Sequence, residues 1–154
     1  MKAKTILITL LLCFVGAAVC FADDVQMGTW TLNEAKSKIA AGLPKNNTVV
    51  YVAAGDSVKV TVDGFDGDGK PARNEWTGKY DGKDYPVTGD PSVDTRSYKK
   101  VNDHTLVITN KKGDKVTTTV RAVVSADGKT RTVTLTGTDS KGKKLTGTAV
   151  YDKQ

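Results

Sequence analysis

The chain has 154 residues, with 23 Lys and Arg against 17 Asp and Glu, a single histidine, and 38% hydrophobic residues. Both cysteines, Cys13 and Cys20, fall within the first 22 residues, so residues 23–154 have no disulfide framework and no Cys/His set for zinc. The excess positive charge is spread along the chain and flanks turns, which describes a solvated surface and not a nucleic-acid footprint.

Lys2 and Lys4 precede an apolar run that ends at Cys20-Phe21-Ala22, with Asp23-Asp24 directly after it. This pattern predicts a signal peptide over residues 1–22, export to a secreted or periplasmic location, and no stable membrane insertion once the leader is removed. The leader carries two lysines and no acid, so the net charge falls from +6 to +4. The 132 residues left suffice for one domain, which buries about two-thirds of its unfolded surface.

The mature chain opens with Gly28-Thr29-Trp30-Thr31-Leu32, whose composition suits a strand. Asn33 as N-cap, fair helix formers after it, and Gly42 followed by Pro44 predict one short helix over residues 33–41. From Thr48 the hydrophobic period becomes two. Residues 48–53 and 57–63 read as strands, with Val58, Val60 and Val62 on one face and Lys59 and Thr61 on the other.

A Gly-rich loop leads to a strand over 72–80, and Asp81-Gly82 is a strong hairpin signal. A short strand comes next over 83–87, where Pro86 argues for an edge or irregular position. Strands over 95–101, 104–109, 115–124, 129–138 and 143–151 complete the series, joined by turns rich in Gly, Asn and Asp. The expected fold is therefore all-β: an up-and-down antiparallel meander of about ten strands, with the one helix after the first. Exposed terminal edges recruit other chains, so a monomer of this kind is expected to close into a barrel of eight or ten strands.

The chemistry of an active site is hard to find. His104 comes just after a turn and has no Gly-x-Ser-x-Gly nucleophile elbow to serve. The acidic loop at Asp66 places Lys70 and Pro71 where a calcium loop needs a ligand and a glycine. The expectation is no catalytic residue, no metal and no cofactor. Trp76 and Tyr80 share a face of their strand, as core or as the lining of a cavity.

Gly28-Thr29-Trp30, the helix after it and the serial hairpins resemble the calycins, the lipocalins and fatty-acid-binding proteins. Thr118-Thr119-Val120-Arg121 and Val150-Tyr151-Asp152-Lys153 are similar to the last strands of the intracellular fatty-acid-binding proteins. The likeness spans most of the mature chain. It implies a ten-strand barrel with a ligand cavity, Arg121 matching one binding arginine of that family and Tyr151 its tyrosine. The family's other arginine, two places before the final tyrosine, is Ala149 here, and one helix stands where the family has two. Residues 79–89 also resemble small uncharacterised secreted proteins of bacteria, which imply no activity. Strand alternation, by contrast, sets Arg121 on the face opposite Val120, Ala122 and Val124.

These readings converge on a secreted, monomeric, non-enzymatic barrel that binds a small apolar or amphipathic ligand, with Trp76, Tyr80, Arg121 and Tyr151 as ligand-binding residues. The alternative is a filled-core barrel acting as an envelope-associated interaction or structural protein. Val58, Val60, Val62, Val133, Leu135, Leu145 and Ala149 are expected to point inward and, being small, to leave apolar space.

Overall fold

The computed structural model describes residues 23–138 and 141–154; the expected leader lies outside them. The strands are β1 (Gly28–Leu32), β2 (Lys38–Ile39), β3 (Lys45–Ala54), β4 (Ser57–Phe65), β5 (Pro71–Gly78), β6 (Asp81–Thr88), β7 (Thr95–Asn102), β8 (Thr105–Lys112), β9 (Lys115–Val124), β10 (Thr130–Thr138) and β11 (Lys144–Lys153). From β3 to β11 each strand pairs with the next, and β1 lies between β3 and β11, so ten antiparallel strands close a barrel. The closing pairs are Trp30 with Lys153, Thr31 with Asp152 and Leu32 with Tyr151. Closure leaves β1 and β11 no free edge where they meet.

Alternation selects the inner face. On β4, Val58 and Val60 are fully buried and Val62 nearly so, while Lys59 and Thr61 are half-buried. On β10, Arg131, Val133 and Leu135 point in, and Thr132, Thr134 and Thr138 are exposed. Ala149 is buried and Leu145 half-buried, so the predicted inner face holds. Each fully buried valine or leucine contributes about 1.5–3 kcal/mol, which a chain without cysteine beyond residue 22 depends on.

The helix expected over residues 33–41 is not formed. Asn33 caps a single 3-10 turn, Glu34–Lys36, by accepting from the Lys36 amide at 3.2 Å. The chain then goes extended as β2 and adds to β11 outside the barrel, Ile39 opposite Gly147 and Lys38 opposite Thr148. Ser37 is the anchor: the Val150 amide donates to its Oγ at 2.9 Å, and Oγ donates to the Asn33 carbonyl at 2.7 Å. The edge of β11 beyond β1 would otherwise be bare, and pairing it outweighs the weak helix propensity of so short a segment. Gly147 permits the approach, since a Cβ there would stand 3.2 Å from the Ile39 Cα.

Pro86 has the predicted effect. β5 and β6 share only two pairs, Glu75 with Thr88 and Trp76 with Val87, before their pairing lapses. One barrel end is closed by the segment before β1. Gln26 is fully buried, donates through Nε2 to the His104 carbonyl at 3.1 Å, and accepts through its own carbonyl from Trp30 Nε1 at 2.9 Å.

Candidate binding site

A cavity of about 70 Å³ lies inside the barrel. Its apolar wall is Val49, Val62, Ile108, Val120 and Val133; its polar wall is Asn46, Tyr51, Arg96, Tyr98, Asn110, Arg131 and Tyr151. Two arginines and no carboxylate face it. A guanidinium costs several kcal/mol to remove from water, so two of them turned inward without acids call for a reason.

Arg131 is on the inner face because it alternates with Val133 and Leu135, and it is only 3% exposed. Its Nη2 donates to the Tyr51 hydroxyl at 2.6 Å, while its Nε is buried with no hydrogen-bond partner among the described residues. The guanidinium carbon sits 4.6 Å from the Tyr51 ring centroid and 5.9 Å from that of Trp30, within cation–π range of both. Burial opposes the charge, but the Tyr51 phenol, with Tyr98 and Tyr151 behind it, outweighs this and holds the arginine pKa above its ordinary value. Arg131 is thus a permanent buried cation.

Arg96, 6% exposed, is held differently. Its Nε donates to Asn110 Oδ1 at 2.5 Å and its Nη1 to Asn74 Oδ1 at 3.1 Å. Asn110 in turn donates to Thr118 Oγ1 at 2.7 Å, so side chains from β5, β8 and β9 fix the fork with neutral amides and a hydroxyl. None of the ion pairs among the described residues involves either guanidinium.

Two of the lining phenols, Tyr98 and Tyr151, stay neutral. Burial raises the pKa of Tyr98, which stands within electrostatic reach of both arginines, and burial likewise raises that of Tyr151, opposed in part by Arg131. Tyr151 is tied down by donating to the Asn46 carbonyl at 2.9 Å. The lining has no histidine, cysteine or acid. What the arrangement can do is hold negative charge against a short apolar surface.

Of the four residues singled out from sequence, only Tyr151 lines the cavity. Arg121 is a correction: it is exposed on the outer face of β9, paired with Thr134 and Val107, because Val120, Ala122 and Val124 take the inner positions. Trp76 and Tyr80 belong to an aromatic cluster behind the cavity wall. The Trp76 ring is 4.2 Å from Tyr98 and 5.8 Å from Tyr85, Tyr80 is 5.9 Å from Tyr98, and Trp76 Nε1 donates to the Arg96 carbonyl at 2.8 Å. Sequence reasoning missed Arg131 and Arg96, although each alternates with apolar or aromatic inward residues.

A second, larger cleft of about 180 Å³ lies beside β2, lined by Leu32, Glu34, Ser37, Ile39 and Lys45. Its charges already pair, Lys45 Nζ with Glu34 Oε1 at 2.6 Å, and both side chains are well exposed. It has no unpaired charge to offer, so the interior is the stronger candidate.

No family model matches the chain, and no curated protein matches it. Among solved structures it is similar to a redesigned β-barrel, at 16% identity and a TM-score of 0.40, over 90% of this chain and 99% of that one. That likeness concerns the barrel and carries no argument about function.

Proposed function

We propose that this chain is an exported, non-enzymatic barrel that binds a small amphipathic anion, its negative group on Arg131 and its apolar part on the valine and isoleucine wall. The observation that carries this reading is Arg131: a buried cation with one nitrogen unpartnered and no acid beside it, facing a cavity. A carboxylate fits its planar fork, and the Tyr51 hydroxyl already on Nη2 orients that fork. The size of the cavity points to short ligands, since common small-molecule pockets measure about 300–1,000 Å³. Long-chain lipids are disfavoured on that ground.

The same small volume favours the competing reading, a filled-core barrel that acts through its outer surface. The two are separated by titrating the purified chain with straight-chain carboxylates from acetate to octanoate. Trp30, beside Arg131, serves as the fluorescent reporter. The proposal predicts saturable binding, weakened about ten- to hundredfold by Arg131→Met, as expected for loss of one charged hydrogen-bonding partner. Absence of saturation with every acid would leave the filled-core reading standing.

A further inference from the structure

We infer that the ligand is a dianion with charges at both ends, a short α,ω-dicarboxylate, held between Arg131 and Arg96. This rests on the reading of the interior as an anion site and concerns the second arginine, which a single carboxylate on Arg131 does not use.

Both guanidinium groups line one cavity, Arg131 from β10 and Arg96 from β7. Arg131 on β10 lies opposite Val124 of β9, whereas Arg96 on β7 lies opposite Asn110 of β8, which lies opposite Thr118 of β9. The same cavity is lined by Val120, Ile108 and Val133, so it offers apolar surface beside two cations. A ligand that answers both cations and the apolar wall therefore carries two negative groups joined by a short hydrocarbon.

Arg96 is built to receive one end. Asn110 and Asn74 occupy Nε and Nη1 through neutral oxygens, fixing the plane of the fork without cancelling its charge. A purely structural arginine would gain more from an acid in either place, because a buried cation is stabilised most by an opposite charge. Tyr98, kept neutral by burial, lies near both cations.

The test compares dicarboxylates from succinate to suberate with monocarboxylates of equal carbon number, by calorimetry on the full mature chain. One dicarboxylate length should bind about tenfold or more tightly than its monocarboxylate partner. That advantage should vanish in Arg96→Gln, which should bind a dicarboxylate no more tightly than the monocarboxylate of equal carbon number. Arg96→Lys, which keeps the charge and loses the fork, should retain part of it; if Arg96→Gln does not fold, this variant and the wild-type length series decide. Inorganic phosphate, a dianion with one head, should not reproduce the effect. Equal affinity for both acid series, or phosphate matching the best dicarboxylate, would overturn the inference and leave single-headed binding intact. No saturable binding of any acid would remove the underlying reading as well.

Discussion

Replacing Arg131 by methionine separates a cation kept for binding from one kept for folding. The substitution removes a charged hydrogen bond to Tyr51, worth about 1.5–3 kcal/mol, and cation–π contacts to Tyr51 and Trp30 worth about 0.5–2 kcal/mol. It also removes the burial penalty of a guanidinium that is 3% exposed, which remains several kcal/mol after relaxation. Methionine fills most of the same volume with a flexible apolar chain. The opposing effects nearly cancel, so the fold should change by no more than about 1 kcal/mol in either direction. With a urea slope of about 1–3 kcal/mol per molar, the midpoint should move by less than about 1 M. Urea unfolding followed by far-ultraviolet circular dichroism reads this directly. A loss of more than about 3 kcal/mol would mean that Arg131 is a structural keystone, and the reasoning from an uncompensated charge would fail.

Leu106 is fully buried on β8, and Leu106→Ala should cost about 2–5 kcal/mol in the same assay. Gly64→Ala should destabilise by about 1–3 kcal/mol, because a Cβ there overlaps the Lys45 carbonyl oxygen and the backbone of Asn46 on the paired strand; an unchanged midpoint would contradict that packing. Acid should weaken the fold through its turns. Asp56, bonded to Lys79 and Ser57, Asp81, bonded to the Lys83 amide, Asp94, bonded to Lys112 and the Gly113 amide, and Asp127, bonded to Ser125 and the Lys129 amide, all have carboxyl pKa values below the ordinary 3.8. Their folded pKa values lie below the unfolded ones, so this contribution is present above pH 3.8 and is lost as pH falls through the depressed values. The urea midpoint should be flat near neutrality and decline below about pH 4, and a decline already complete at pH 6 would point to other groups.

The barrel was legible because its physics is local and periodic. Val58, Val60 and Val62 against Lys59 and Thr61 fix a face, and turns at regular intervals fix antiparallel neighbours. The segment from Asn33 misled because capping and propensity are local signals, whereas the edge of β11 that claims Lys38 and Ile39 lies over a hundred residues away in sequence. The site was half visible. In Arg131-Thr132-Val133-Thr134-Leu135 the alternation puts a cation on the apolar face, and Arg96 shares a face with Tyr98 in the same way. Family likeness points to Arg121 instead, on the face that alternation turns outward. Cavity size was not legible, since small inward valines are offset by Trp30, Trp76, Tyr51 and Tyr98, whose reach across the barrel depends on closure.

The central claim, that the barrel interior holds a small organic anion, is tested most directly by watching arginine side-chain Nε–Hε resonances in a nitrogen–proton correlation spectrum during titration with dicarboxylates. Arg131 Nε, buried and unpartnered, should shift saturably, Arg96 with it, and Arg121 on the outer face should stay still. Shifts confined to Arg121 and surface lysines, with Arg131 and Arg96 unmoved at saturation, would contradict the account and place any binding on the outside of the barrel.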